Sequence, residues 1–264
     1  MYIDHSMCKI KQIFQSYDNF VISHPKSGRT WLRVAMGKIL FDRYGYKRKD
    51  IMTNNAYGIK NFPYFHHDHF HTLKDEKDLF VSFYKDKKVI LLIRDPRDTI
   101  VSYFFQIIYR KGPFDTFQGN SISDFIRCNK YGILNLIDFY NFWHENKNVP
   151  KDVLIIKYED MHKNLGKVLK KVFVFFDFKN PSAKEIQDAV KYSSFKSMRK
   201  KEEQGYFHGE KLSKLTLSED VRDKKNALKT RDGKIGGYKK YLSVEDIVFV
   251  ENCIRENSCP FYQI

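Results

Sequence analysis

Three short apolar runs punctuate the chain, at Asn19 to Ser23, Lys88 to Ile93 and Val153 to Lys157. Each is too short for a helix, is bounded by polar or turn residues, and is apolar at consecutive rather than alternate positions. That pattern suits strands covered on both faces, as in a parallel sheet. Between and after these runs, apolar residues recur at helical spacing. From Thr30 to Phe41, Leu32, Ala35, Met36, Ile39 and Leu40 share one face. Thr99 to Tyr109, Gly132 to Asn146, Asp160 to Phe176 and Ser243 to Asn257 follow the same rule, the last with Ser243 as a plausible N-cap. Strands alternating with helices predict βαβ units in an α/β fold, a three-layer α/β/α domain around a central, mainly parallel sheet. Ligands of such folds sit at the carboxyl ends of the strands.

The segment from Lys200 to Lys234 breaks the pattern. It is rich in Lys, Glu, Asp and Ser, and it is expected to be a long mobile loop acting as a lid. No repeat or low-complexity linker divides the chain, so residues 1–264 are expected to form one domain.

Composition narrows the class. Hydrophobic residues make up 42%, with 23 Phe and 17 Tyr, which is enough for a large core. The net charge of +15 favours an anionic ligand or partner, although the lysines are spread along the chain and many must form a solvated surface. Cys8, Cys128, Cys253 and Cys259 are scattered, with no C-x-x-C pair, which argues against a disulfide framework or a zinc knuckle. Met1 to Phe20 has no apolar signal core, and no run reaches membrane-spanning length. A cytoplasmic setting is the expectation.

The strongest chemical signal follows the first strand: Ser23-His24-Pro25-Lys26-Ser27-Gly28-Arg29-Thr30-Trp31-Leu32. A glycine-containing turn between a buried strand and an amphipathic helix is the setting of a phosphate loop. Gly28 lets the backbone approach an anion, the helix start points N–H groups at it, and Lys26, Ser27 and Thr30 add a charge and two hydroxyls. The loop is not a Walker A motif, because Ser23 and Arg29 stand where Gly and Lys are required. Another signal ends the Lys88 to Ile93 run: Arg94-Asp95-Pro96-Arg97-Asp98-Thr99-Ile100-Val101-Ser102-Tyr103. Pro96 suits a first helical turn. Arg94 emerges at the ligand end of the strand and offers a forked contact to phosphate. A structural Arg–Asp pair is the plain alternative.

These segments resemble two motifs of the sulfotransferases that use 3′-phosphoadenosine 5′-phosphosulfate (PAPS). The loop after the first strand is similar to the family's P-K-S-G-T-T-W, with Arg29 where Thr is usual. By that resemblance Lys26, Ser27, Gly28, Arg29, Thr30 and Trp31 would hold the 5′ side of the nucleotide. The Arg94 segment is similar to R-[DN]-P-[RK]-D-x-x-V-S-Y, where Arg94 and Ser102 would grip the 3′-phosphate. Three further segments agree in order. Lys157-Tyr158-Glu159-Asp160-Met161 resembles Y-E-D-L/M and would bring Tyr158 to the adenine. Ser193-Ser194-Phe195-Lys196-Ser197-Met198 resembles T-S-F-x-x-M, so Ser193 and Phe195 would flank the base. Arg231-Asp232-Gly233-Lys234-Ile235-Gly236-Gly237-Tyr238-Lys239-Lys240 resembles R-K-G-x-x-G-D-W-K-N, a loop that closes on the 3′-phosphate. Here Asp232, Gly237 and Tyr238 depart from the pattern, and Asp232 sets a negative charge near the expected phosphate.

The resemblance covers residues 20 to 242 and implies a P-loop-containing fold. It also implies sulfonate transfer from PAPS to a hydroxyl or amine of a small-molecule or glycan acceptor, leaving 3′-phosphoadenosine 5′-phosphate (PAP). No metal, nucleic acid or membrane span is expected. Lys26 would stabilise the leaving group. The family's catalytic histidine falls in Phe65-His66-His67-Asp68-His69-Phe70-His71, and its F-x-H-D form selects His67 as base. His66, His69, His71 and Asp68 remain alternatives, and on an extended chain His67, His69 and His71 could also share a face as zinc ligands. A small-molecule kinase, a basic non-enzymatic binding protein and an inactive relative are the competing readings.

Overall fold

The computed structural model describes residues 12–46, 51, 59–67, 77–109, 117–119, 121–204, 226 and 228–263. Its sheet holds β1 (Asn19–Ser23), β2 (Tyr64–His67), β3 (Lys88–Ile93) and β4 (Asp152–Lys157) in the order β2-β1-β3-β4, every pairing parallel. The three apolar runs are therefore β1, β3 and β4, with β4 one residue longer at its start than the sequence pattern indicates.

Successive residues on a strand face opposite ways, and both faces are covered here. Phe20, Ile22, Val89, Leu91 and Ile93 join one core. Ile100, Val101, Leu136, Tyr140, Trp143, Val250 and Ile254 complete it. These come from α3 (Pro96–Tyr109), α5 (Ile133–Glu145) and α9 (Val244–Glu256). Val21, Ile90, Leu92 and Ile156 face the other core with Leu32, Met36, Leu40, Leu169 and Phe173. Those belong to α1 (Arg29–Tyr44) and α6 (Tyr158–Phe175). The result is the expected three-layer α/β/α arrangement. Further helices among the described residues include α2 (Lys77–Tyr84), α4 (Ile122–Arg127), α7 (Ala183–Tyr192) and α8 (Phe195–Glu203).

The sequence reading named no helix at α2, α4 or α7, and it also missed β2 and α8. β2 carries no apolar run, because its four residues are Tyr64-Phe65-His66-His67, yet it pairs with β1 through Phe20↔Tyr64 to Ser23↔His67. The loop expected from Lys200 is helical through Glu203. Ser194 caps α8 by accepting from the Ser197 N–H, and Met198 and Glu202, one turn apart, are its buried residues. Residues 205–225 and 227 of the expected lid lie outside the described residues, while 228–240 are ordered against the sheet's carboxyl end. No described helix is long and apolar enough to cross a membrane.

Candidate active site

The loop after β1 is built around two left-handed residues. Lys26 has φ 70 and Gly28 has φ 100. A positive φ costs a lysine energy, and such strain clusters where a backbone is shaped for a ligand. The intrahelical bonds of α1 begin with the N–H groups of Trp31 and Leu32, which donate to the Gly28 carbonyl at 2.9 and 3.2 Å. The amides before Trp31 thus stand outside the ladder, at the positive end of a 16-residue helix. The Ser27 hydroxyl is buried and makes no hydrogen bond within the protein. Gly28 is required on a further ground. A Cβ there would lie 2.5 Å from Cδ2 of Tyr158.

Arg94 lies immediately after β3 and is buried. Its N–H donates to the Tyr140 hydroxyl at 3.1 Å, and that hydroxyl donates back to the Arg94 carbonyl at 2.6 Å. This pair of bonds fixes the backbone from which the guanidinium projects. Nη1 donates to the Lys26 carbonyl and Nη2 to the Lys234 carbonyl, both at 3.2 Å, so the arginine joins the phosphate loop to the C-terminal loop. Its plane lies over the Tyr158 ring at 4.3 Å, and its Nε is buried without a hydrogen-bond partner. Ser102, two turns into α3, is nearly buried.

Tyr158 opens α6 directly after β4. Its ring sits between Gly28 and Arg94, with Trp31 at 5.6 Å and His162 at 4.7 Å, and its hydroxyl donates to the Gly233 carbonyl at 3.4 Å. Burial raises the Tyr158 pKa, so the phenol stays neutral. Burial and the nearby Arg94 lower that of His162. Ser193 is fully buried and donates to the Ala189 carbonyl at 2.7 Å. Phe195 is 43% exposed, an unusual state for a phenylalanine and an available stacking surface, and its ring packs against Gly233.

The 228–240 segment is held down by two carboxylates. Glu202 of α8 is buried and accepts from the Lys229 and Thr230 N–H groups at 2.6 and 2.9 Å and from the Thr230 hydroxyl at 2.7 Å. Asp98 of α3 accepts from Gly236 at 2.7 Å and Tyr238 at 3.0 Å. Between these anchors, Arg231 stacks over Phe105 at 4.1 Å and Tyr241 at 4.6 Å, with Nε and Nη1 buried and unbonded. Asp232 turns its carboxylate toward Lys240, 4.0 Å away, and Gly237.

His67 is the last residue of β2, opposite Ser23 at the end of β1, so the strand pairing brings its backbone beside the phosphate loop. Asp68, His69 and His71 lie outside the described residues. The Arg29 side chain turns toward this edge, donating from Nη1 to the His66 carbonyl at 2.7 Å and to the Ser23 hydroxyl at 3.2 Å. Among the described residues no group of three or more His, Cys, Asp or Glu is placed to hold a metal ion.

Comparison with known proteins decides the family. Residues 16–258 match the sulfotransferase domain. The chain belongs to the sulfotransferase family. Sulfotransferase 1E1 of Bos taurus is 26% identical over 251 residues, covering 86% of this chain and 78% of its own. Flavonol 3-sulfotransferase of Flaveria bidentis is 25% identical, covering 93% and 84%. Among solved structures, a mouse sulfotransferase complexed with PAP superposes with TM-score 0.56 at 20% identity, covering 92% of this chain and 85% of that one. Retinol dehydratase in complex with androsterone and PAP gives 0.58 at 18%, covering 91% and 80%.

The candidate site contains residues that sequence reasoning passed over. Tyr140, Glu202, Asp98 and Arg199, whose Nη1 reaches the Thr230 and Arg231 carbonyls at 3.4 and 3.3 Å, all bond main chain. Main-chain partners far apart in sequence leave no local motif. Asp98 was visible as a fixed position of the Arg94 motif, with no role attached to it. The structure makes it the tether of a loop 138 residues away.

Proposed function

We propose that this sulfotransferase takes its sulfonate from PAPS and passes it to a hydroxyl or amine of a small-molecule or glycan acceptor by in-line displacement. The observation that carries the reading is a set of buried polar atoms with no protein partner: Ser27 Oγ, Arg94 Nε, and Arg231 Nε and Nη1. Buried donors left unpaired cost about 1–3 kcal/mol each, which an anionic ligand would recover. They belong to the phosphate loop, to Arg94, which bonds that loop and the Lys234 carbonyl, and to Arg231 of the 228–240 segment, which fits a ligand with anionic groups on two sides of a nucleoside. The exposed Phe195 is a stacking surface available to its base, while the buried Tyr158 ring forms the wall between the loop and Arg94. The presence of PAP in the sulfotransferase and retinol dehydratase structures supports the same ligand.

Bound PAPS would bring the sulfonate and a diphosphorylated leaving group. The protein's own contributions follow from the site. The amides of residues before Trp31 and the Lys26 ammonium would balance charge on the 5′ side, including charge that develops on the leaving oxygen. Arg94, Ser102 and Arg231 would hold the 3′-phosphate, the group that separates PAP from ADP. Ser193 would contribute its hydroxyl as an acceptor, because its proton is used on Ala189. His67, at the end of β2, would take the acceptor's proton. Relatives named for flavonols and for amines support both acceptor chemistries. The cytoplasmic setting belongs to the same proposal.

The test is transfer of radiolabelled sulfonate from PAPS to a panel containing a phenol, a steroid alcohol, a sugar and an alkyl amine. The expected result is labelled product from at least one acceptor, reduced about 100-fold or more in His67→Ala. Undiminished transfer by His67→Ala would remove that residue from the chemistry, and no transfer to any acceptor would contradict the reading.

A further inference from the structure

Arg29 replaces the threonine of the related loop, and its side chain does not point where that threonine's position suggests. The backbone of Arg29 begins α1 and contributes to the anion-facing helix start, but the guanidinium reaches the other way. It crosses to the end of the β1–β2 pair and donates from one nitrogen to the Ser23 hydroxyl, on the last residue of β1, and to the His66 carbonyl, in the last peptide of β2. That carbonyl belongs to the peptide unit whose nitrogen is His67. A guanidinium placed here is expensive. Burial, with the adjacent Arg33 cation, lowers the Arg29 pKa to about 9 and that of Arg33, chiefly by burial, to about 10. Arg33 in turn donates to the Ile51 carbonyl at 2.8 Å and packs its plane on Phe65 of β2 at 5.1 Å. Two neighbouring cations on α1 thus bear on one short strand.

β2 needs such support. It has four residues, pairs with β1 alone among the described strands, and carries the candidate base at its carboxyl end. Short edge strands fray at their ends, and a base displaced by about 1 Å loses on the order of 100-fold in rate.

We infer that Arg29 is a positioning residue: its guanidinium clamps the His66 carbonyl to the phosphate loop and thereby fixes His67 relative to the sulfonate donor. This rests on the proposed role of His67. The same residue serves both sides of the reaction. Its main chain belongs to the donor site and its side chain sets the acceptor side, so the loop and the base are kept in one rigid frame.

The experiment uses the full chain in three forms, wild type, Arg29→Met and Arg29→Lys, with PAP as the ligand and histidine-labelled protein for NMR. The imidazole signals are assigned by single His→Gln changes. In Arg29→Met, the His66 and His67 signals should shift or broaden while those of His144 and His162 stay in place. The affinity for PAP should remain within about threefold, because the loop amides are unchanged. With an acceptor returned by the transfer panel, kcat should fall about 10–100-fold with little change in KM for PAPS. Arg29→Lys, which keeps a donor and a charge, should restore part of both effects, and it keeps the test alive if Arg29→Met fails to fold. Unmoved His66 and His67 signals in the variants would overturn the inference, as would a loss of PAP affinity that matches the loss of kcat. If wild type does not bind PAP or transfer sulfonate, the functional reading fails instead, whatever the histidine signals do.

Discussion

Replacing Gly28 by alanine tests the packing of the nucleotide loop at a single atom. The new Cβ would lie 2.5 Å from Cδ2 and 3.0 Å from Cε2 of Tyr158, on a backbone with φ 100. The backbone conformation alone costs an L-residue about 1–2 kcal/mol. Relieving the contact adds about 1–3 kcal/mol, as overpacking does elsewhere. The ring cannot simply swing aside. Arg94 covers one face at 4.3 Å, Trp31 and His162 press on its edges, and its hydroxyl is bonded to Gly233. The expected loss is about 2–5 kcal/mol, a large part of the roughly 5–15 kcal/mol that holds a typical domain. Gly45 supplies the control. It too is left-handed, with φ 71, but an added Cβ meets nothing within 4 Å. Gly45→Ala should therefore cost about 1–2 kcal/mol, the backbone share alone. Urea denaturation of both variants gives the difference, and calorimetry with PAP reads the site, where Gly28→Ala should weaken binding about tenfold or more by displacing Tyr158 and Arg94. Equal costs at the two glycines, with PAP affinity retained in Gly28→Ala, would refute the argument that Tyr158 fills the space beside the loop.

Tyr140→Phe removes one hydroxyl, leaves the Arg94 N–H unpaired and leaves the Arg94 carbonyl only the longer 3.4 Å bond from the Thr99 hydroxyl, so a loss of about 1–3 kcal/mol in denaturant unfolding and a weaker grip on PAP are expected. Glu202→Ala frees the Lys229 and Thr230 amides and should cost about 2–3 kcal/mol, with PAP affinity falling because Arg231 follows that turn; unchanged PAP affinity would detach the anchor from the site. Glu185, bonded to Arg43 at 2.6 Å, has its pKa lowered to about 2, mainly by that hydrogen bond. A lowered folded-state pKa means its contribution is present above the ordinary carboxylate value and is lost as pH falls toward about 2. Because the pair is partly exposed and screened by solvent, Glu185→Gln should cost about 0.5–1 kcal/mol at pH 7, and the gap should close by about pH 2. A gap that is constant with pH would assign the effect to packing.

Much of this site could be read from the chain because its parts are local. The phosphate loop and the Arg94 segment each combine a buried strand end, a turn and a helix start within a dozen residues, and β1, β3 and β4 announce themselves as unbroken apolar runs. β2 could not be read this way. Its burial comes from Phe65 alone among polar neighbours, and it exists because β1 offers an edge to pair with, which no local pattern encodes. Helix α8 was hidden for the same reason. Its sequence is polar apart from Phe195 and Met198, and Glu202 is buried to bind a turn 28 residues away. The Arg29 substitution was legible as a departure, but its consequence was not, since the side chain acts across strands.

PAP binding without magnesium tests the central claim most directly, with ATP and 5′-AMP titrated in parallel by calorimetry. The account predicts that PAP binds at least tenfold more tightly than either control, and that Arg94→Ala, by removing a charged partner of the phosphate, lowers PAP affinity about 10–100-fold and erases most of that preference. Equal binding of PAP and ATP, or PAP affinity indifferent to Arg94, would contradict it.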